Sequence, residues 1–328
     1  MRAVVVEAFG PVETAQVAEL PVPEPGPGQV LIEAKAFGVN YPDMMVIEGT
    51  YQFKPPLPFI PGKELAGIIS KVGPGVDRWK PGDRVIGQVE YGAWAEYVAI
   101  DENTCLAISD KMSFEQATSM GMVYQTAWFA LFDRGQFGPG DVVLVTGASG
   151  GVGLAAVQIV QAMGGTVLAG VGSPEKMDAV RAAGADHIID LSGDDLRESV
   201  RAEVFAATDG HGADICLDMV GGDVFEACMR GLAWRGRMVV VGFTSGTIPT
   251  IKAGHLLVKN IAVAGIQWSD YRDKTPEIMA DAQARMMELF DEGKLGVELM
   301  KSYPMDRFAA ALTAIRERRV VGKVALIP

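Results

Sequence analysis

Asp141 to Gly164 reads DVVLVTGASGGVGLAAVQIVQAMG. Val142 to Val145 is an unbroken run of β-branched residues and Leu, the pattern of a strand covered on both faces. It ends in Thr146-Gly147-Ala148-Ser149-Gly150-Gly151-Val152-Gly153, after which Val152, Ala155, Ala156, Ile159, Val160 and Met163 recur at helical spacing. Gly164 and Gly165 stop that helix. Strand, glycine turn and helix form the setting that a dinucleotide fingerprint needs. Ala148-x-Gly150-x-x-Gly153 stands where G-x-G-x-x-G would stand, with Ala in the first place. A side chain at Gly150 would obstruct a pyrophosphate, and one at Gly153 would push the helix off the strand. Amides at the helix start and the helix dipole favour phosphate charge. The competing reading is a glycine turn that only permits tight packing. The alternation downstream favours the nucleotide, with Ala148, Ser149, Gly150, Gly151 and Val152 against it.

Working outward toward the C-terminus, strands and helices alternate. Thr166–Val171 reads as a second strand, followed by a helix from Pro174 to Ala183 with Ser173 as N-cap and Gly184 past its end. His187–Asp190 is a third strand, Leu196–Ala207 a helix, Ala213–Val220 a fourth strand, Asp223–Leu232 a helix. Arg237–Phe243 and Ile261–Ile266 complete six strands. The pattern predicts an α/β fold with a doubly wound, parallel, Rossmann-type sheet. In such sheets an acid near the end of the second strand binds the ribose 2′-OH of NAD. Here that end reads Ala169-Gly170-Val171-Gly172-Ser173, without a carboxylate, and Lys176 and Arg181 follow. A hydroxyl, a helix start and a cation suit a 2′-phosphate, so NADPH is expected rather than NADH. Gly170 would let the adenosine ribose sit close. Val220, Gly242, Phe243 and Thr244, at the ends of strands four and five, should line the crevice beside the nicotinamide.

Upstream, the chain changes character. Ala3–Ala8, Val30–Ala36, Leu65–Val72, Arg84–Gly87 and Gly92–Ile100 read as strands among many Pro and Gly turns, which suggests an open or partial β-barrel. Pro21 to Gly28 is a stiff surface connection. Ser113 with Gln116 has the form of a capping box, opening helices that link the two parts. Beyond the sheet, Glu277–Glu292 and Met305–Arg318 read as helices and Lys323–Ile327 as a last strand returning to the first part. The expected division is therefore 1–122 with 268–328 as catalytic domain, and 123–267 as nucleotide domain.

With 328 residues, 49% of them hydrophobic, the chain is long enough for two domains with real cores. A formal net charge of −12 argues against general nucleic-acid or anionic-membrane binding. No apolar run approaches a membrane span, and Met1-Arg2 leads straight into a strand-like stretch without a signal-peptide pattern. Three scattered cysteines argue against a disulfide scaffold. A cytoplasmic protein is expected. Cys105 lacks a nearby helix-start cation and is read as an inert thiol.

Gly38-Val39-Asn40, Pro61-Gly62-Lys63-Glu64-Leu65-Ala66-Gly67, Gly82-Asp83-Arg84-Val85, the loop from Gly147 to Gly153, Ser173-Pro174-Glu175-Lys176 and Gly322-Lys323-Val324 together resemble the medium-chain dehydrogenase/reductase superfamily. Within it the chain is similar to the zinc-independent quinone oxidoreductases, over essentially its whole length. The resemblance implies a chaperonin-10-like distorted barrel, a Rossmann domain, an active site in the cleft between them, NADPH as hydride donor, and a homodimer or tetramer. Zinc alcohol dehydrogenases of the superfamily place Cys where this chain has Asn40 and His where it has Lys63, and a cation at Lys63 would repel a metal, so no zinc is expected.

Without a Lewis acid the acceptor must itself be electron-poor, a quinone or an α,β-unsaturated carbonyl. Asn40, at the lost ligand position, could hold the nicotinamide ribose or the developing oxyanion. Tyr41 and Tyr51 are possible proton donors or lids, or fillers of the barrel mouth. Tyr124, Gln125 and Thr126 lie where the superfamily contacts nicotinamide, Thr126 foremost. Lys323 resembles the family lysine beside the cofactor. Lys63 is expected to pair with Glu64 or Asp43, and Arg318 and Arg319 to form a solvated helix end. Acryloyl- or enoyl-thioester and haloacrylate reduction use the same scaffold; a basic patch of Lys54, Lys63, Arg318 and Arg319 would favour the coenzyme A ester. A non-catalytic NADPH-binding protein is the alternative from another class. Strand Ile261–Ile266 would be a sticky edge, and pairing it across a two-fold axis predicts a homodimer.

Overall fold

The computed structural model describes residues 1–297 and 299–328. The chain forms two compact units, one of Met1–Met122, Ser269–Asp291 and Val297–Pro328, the other of Val123–Trp268 and Glu292–Gly296. Trp268 and the short return 292–296 thus pack with the nucleotide-type unit and not, as the sequence suggested, with the barrel unit.

The second unit is built on a six-stranded sheet with the order His187–Asp190, Thr166–Val171, Val142–Val145, Ala213–Asp218, Leu232–Val240, Ala262–Gly265. Every neighbouring pair is parallel. Counting strands along the chain, this is 3-2-1-4-5-6, the doubly wound order whose switch point lies beside the first strand. Burial on both faces explains the apolar runs: Val143, Leu144 and Val145 are wholly buried, as are Ile215, Cys216 and Leu217. The helix Gly151–Ala162 packs its Leu154, Ala155, Val157 and Ile159 inward and ends at Gly164, which takes a left-handed φ of 81°.

Element limits differ from the sequence reading where side-chain bonding intervenes. The helix after the second strand is split into a 3-10 turn, Pro174–Lys176, and an α-helix, Met177–Ala182. Ser173 sits at its N-cap position with extended backbone, but its hydroxyl bonds the Glu175 carboxylate and not a backbone amide. The fourth strand stops at Asp218, and the fifth runs from Leu232 to Val240, earlier at both ends than expected. The fifth strand's continuation turns because Val241 and Gly242 donate to the Asp218 carbonyl at 2.8 and 3.2 Å.

The first unit is organised on a seven-stranded sheet in which Gln29–Gly38 is the hub. It pairs antiparallel with Glu64–Val72, Tyr97–Asp101 and Lys323–Ile327. Leu299–Pro304 lies parallel beyond the last strand. Arg84–Gln88 and Cys105–Ala107 extend the other side. The return of the C-terminal strand to the first part of the chain is therefore present. The expected strand Gly92–Ile100 begins only at Tyr97. Upstream of it Ala93 and Trp94 donate to the carbonyls of Gly62 and Pro61 at 3.1 and 2.9 Å, which bends the chain out of the ladder. Trp94 is wholly buried, donates to the Gly38 carbonyl at 3.0 Å, and lies where a Cβ on Gly62 would come within 2.2 Å of its ring. Several elements escaped the sequence reading, among them the strands Gln16–Glu19, Cys105–Ala107 and Leu299–Pro304 and the helices Ala253–Lys259, Trp268–Lys274 and Tyr41–Ile47, the last hidden by Pro42, which is compatible with a first turn. Among the described residues no helix is long and apolar enough to cross a membrane.

Candidate active site

The glycine loop of the second unit separates two roles. At Gly153 an added Cβ would lie 2.4 Å from the Gly147 carbonyl oxygen and 2.6 Å from Ala148 Cα, so glycine is demanded by the protein's own packing. At Gly150 the nearest atom to an added Cβ is the Gly147 oxygen at 3.4 Å, ordinary contact. Its φ of −81° suits any residue. The protein's own packing does not need glycine at position 150, which leaves the backbone open to a group that would approach it there. Gly150 is the N-cap of the helix, so the amides of Gly151, Val152 and Gly153 form its first turn, where anions are favoured. The loop is therefore a cradle that fits a dinucleotide pyrophosphate.

Asp218 ties that loop to its neighbours. Its Oδ1 accepts from the Thr146 hydroxyl at 2.7 Å, and its carboxylate receives the amides of Val220 and Gly221 at 3.2 and 2.9 Å. Thr146 Oγ1 accepts in turn from the Met219 amide at 3.0 Å. The turn 241–245 is pinned onto the same strand end, with Thr244 donating to the Met219 carbonyl at 3.0 Å. Burial raises the Asp218 carboxyl against these donors. Sequence reasoning missed Asp218; the signal was a carboxylate ending the otherwise apolar strand ADICLD. Gly170 is buried, and a Cβ there would meet Leu191 Cδ1 at 2.7 Å, so packing alone explains this glycine. Ser173 and Lys176 lie on the exposed turn after the second strand, and Arg181 faces Asp178 at 3.4 Å. Tyr124 donates to Gln158 Oε1 at 2.9 Å and bonds the Gly296 carbonyl, while Gln125 accepts from the Trp268 indole at 3.0 Å. Both are interior fixtures of the second unit, and Thr126 beside them is nearly buried.

In the first unit the residues singled out from the sequence converge on a buried polar cluster. Asn40 caps the helix Tyr41–Ile47, and its backbone amide donates to Asp43 Oδ2 at 2.8 Å. Its side-chain Nδ2 donates to Glu64 Oε1 at 2.9 Å, and its Oδ1 accepts from Lys323 Nζ at 2.6 Å. Lys323 also donates to the Val39 carbonyl at 2.7 Å and faces Glu64 at 3.8 Å. Glu64 Oε2 accepts the Met122 amide at 2.8 Å. Gly38 and Gly121 make room for that carboxylate: a Cβ on either would approach it to 2.4 Å. The Lys323 ammonium, read from the resemblance as a cofactor contact, is thus turned inward onto Asn40 and Glu64. Burial lowers its pKa and raises that of Glu64. Burial also raises the Asp43 carboxyl to about 7, against the pull of Lys63 and Lys323. Asp43 and Glu64 were not read as site residues; the signal for Asp43 was its place three residues after the Asn cap.

Lys63 does not pair with Glu64 or Asp43. Its ammonium meets Glu90 Oε1 at 2.6 Å and the Glu90 carbonyl at 3.0 Å, and lies 4.7 Å from the Tyr51 ring centre. Neighbours at the start of a strand point to opposite faces, which sends Lys63 away from the Glu64 cluster. Arg272 reaches the other Glu90 oxygen at 3.4 Å. Tyr51 is half-buried and Tyr41 exposed. Cys105 is buried, and burial pushes its thiol well up, so it is no nucleophile. Among the described residues no group of three or more His, Cys, Asp or Glu side chains could hold a metal ion.

One unit with a Rossmann-type sheet and a phosphate cradle, and another with a barrel-like sheet and a buried polar cluster, are the parts of a dehydrogenase of the two-unit kind. Comparison with known proteins agrees. Residues 26–110 match the alcohol dehydrogenase GroES-like domain, and residues 151–285 match a domain described as zinc-binding dehydrogenase. A quinone oxidoreductase-like protein 2 homolog of Nematostella vectensis is 36% identical over 303 residues, spanning 92% of this chain and 82% of that relative. Among solved structures, the Escherichia coli quinone oxidoreductase complexed with NADPH is 30% identical, with a TM-score of 0.92 over all of both chains. A mycobacterial protein solved with NADPH is 29% identical, with a TM-score of 0.92 over all of both chains. The chain belongs to the zinc-independent quinone oxidoreductase family of the medium-chain dehydrogenase/reductase superfamily.

Proposed function

We propose that this oxidoreductase binds NADPH and reduces a quinone or an α,β-unsaturated carbonyl. Bound NADPH supplies a hydride equivalent. The observation that carries the reading is the Gly150 cradle, open where the protein itself would tolerate a side chain, together with relatives that hold this nucleotide. Ala148 to Val152 would hold the pyrophosphate. Ser173 and Lys176 would take the 2′-phosphate, and Thr126, Val220, Gly242, Phe243 and Thr244 would border the nicotinamide. Asn40 would give its remaining Nδ2 hydrogen to the oxygen on which charge develops, with Tyr41 or Tyr51 nearby on the chain as proton donor. The donor set argues for an acceptor that needs no Lewis acid. Where a zinc dehydrogenase has Cys and His, this chain has an amide bonded to Lys323 and a lysine bonded to Glu90.

The same geometry weighs against a coenzyme A ester. Lys63 is 3% exposed and committed to Glu90, and Arg319 pairs with Glu317 at 2.6 Å, so two of the four cations that such a patch would use are already engaged by carboxylates. A cytoplasmic homodimer fits this reading. NADPH oxidation measured against quinones, enones, acryloyl-coenzyme A and 2-haloacrylates tests it. Quinones or enones should exceed the thioester at least a hundredfold in kcat/KM, about 2.7 kcal/mol of transition-state discrimination. A clear preference for the thioester would overturn the assignment, and protein that takes up NADPH but transfers nothing would make it a binding protein.

A further inference from the structure

Asn40 is held on three sides by ionisable groups, more apparatus than a helix cap needs. An amide can sit in either of two flips, and its partners decide which. Lys323 can only donate, so it must face Oδ1; an ionised Glu64 can only accept, so it must face Nδ2. Asp43 fixes the backbone half of the same residue by accepting the Asn40 amide. With these bonds made, one Nδ2 hydrogen is left over.

We propose that Asp43, Glu64 and Lys323 are positioning residues that lock the Asn40 amide in one flip, its spare Nδ2 hydrogen presented to the reacting acceptor, and that Asp43 must carry a proton for the lock to hold. The proposal rests on the role given to Asn40 above. Charge balance supports the second half. Glu64 and Lys323 together are neutral. An ionised Asp43 would leave a net negative charge in a site where Asp43 is 1% and Glu64 0% exposed. The charged groups facing Asp43 are Lys63, Lys323 and Glu64. Lys63 is held by Glu90, which leaves Lys323 as the other cation that acts on Asp43. A second carboxylate would draw it off Asn40 Oδ1. Asp43 Oδ1 also has no hydrogen-bond partner among the described residues, a situation far costlier for an anionic oxygen than for a hydroxyl. The elevated pKa of about 7 places the change in the working range.

The test uses the full chain and four variants, N40A, K323M, E64Q and D43N, with 1,4-benzoquinone as acceptor. NADPH affinity is measured by calorimetry and kcat and KM are measured from pH 5.5 to 9. K323M and E64Q should lower kcat at least tenfold with less than threefold change in NADPH Kd and in the acceptor KM. Wild-type kcat should fall as pH rises through the Asp43 titration, while D43N, neutral at every pH, should lose that limb. N40A with unchanged kcat would sink the role of Asn40 itself. An impaired N40A beside wild-type-like K323M and E64Q would overturn the positioning proposal alone. A D43N profile with the same alkaline limb as wild type would overturn the proton requirement. Should K323M fail to fold, the near-isosteric E64Q and D43N still decide.

Discussion

At the scale of single residues, Gly150 and Gly153 look alike in the sequence and differ in what they permit. Replacing Gly153 by Ala forces a Cβ against backbone atoms at 2.4–2.7 Å, so the loop or helix must shift. Overpacking of this kind costs about 1–3 kcal/mol, and G153A should melt several degrees lower. Replacing Gly150 by Val brings its Cβ into no more than ordinary contact with the protein and fills the cradle. G150V should keep its melting temperature within about 2 degrees and lose at least tenfold in NADPH affinity by calorimetry, well over 1.4 kcal/mol. Equal effects of both changes on stability would remove the cradle argument. Asp43 gives a second residue-scale expectation. Its folded pKa, about 7, lies above the ordinary 3.8, so its contribution to stability is complete below pH 3.8 and is lost as pH rises through about 7. The melting temperature of D43N relative to wild type should therefore rise from pH 5 to about pH 7 and level off above it. A gap that stays constant with pH would mean that Asp43 does not titrate in the fold.

At the scale of elements, the helix Phe114–Phe129 shows a local rule overridden by a neighbour. Its start is legible: Ser113 and Gln116 exchange the two capping-box bonds at 2.9 and 3.1 Å. Its interior Gly121 is not, since Ala there is favoured by about 1 kcal/mol in helix propensity. The reason is Glu64, whose Oε2 would lie 2.4 Å from an added Cβ. G121A should therefore destabilise the chain despite the propensity gain, and should lower turnover by displacing Glu64 from Asn40; a stabilised and fully active G121A would contradict this. The contrast marks what sequence could and could not show. The parallel sheet was readable because burial on both faces writes continuous apolar runs, and Leu196–Ala207 was placed to the residue. The candidate site was half readable: Asn40, Tyr51 and Lys323 stood out by position, but who bonds whom depends on contacts between residues up to 284 apart. Spacing alone suggested Glu64 or Asp43 for Lys63, where the strand's alternation delivers Glu90. Leu299–Pro304 was missed for a related reason, being a strand with little burial and hence little pattern.

At the scale of the whole molecule, the sheet of the second unit ends on one side at Ala262–Gly265, an edge strand with no further strand beside it among the described residues, where Arg134 donates to the Gly265 carbonyl at 2.9 Å. The surface beside it in sequence is unusually apolar. Leu257 and Val258 on the helix Ala253–Lys259 are each 80% exposed, and Ile248 is 72% exposed. An open edge and exposed aliphatic side chains on nearby sequence would both be disposed of by one contact, the proposed pairing of a second copy of the chain across a two-fold axis. Covering one Leu or Val fully is worth about 1.5–3 kcal/mol, and a two-fold doubles each such term. The double substitution L257E/V258E would replace four covered aliphatic groups by four carboxylates in the same contact. Sedimentation equilibrium should show a dimer for the wild-type chain and at least a hundredfold weaker dimerisation for the variant, while NADPH affinity, set by the loop that joins the strand Val142–Val145 to the helix Gly151–Ala162, stays within threefold. A wild-type chain that sediments as a monomer at micromolar concentration would leave the edge unpaired and refute the two-fold contact; a variant that dimerises as tightly as wild type would move the contact to another face.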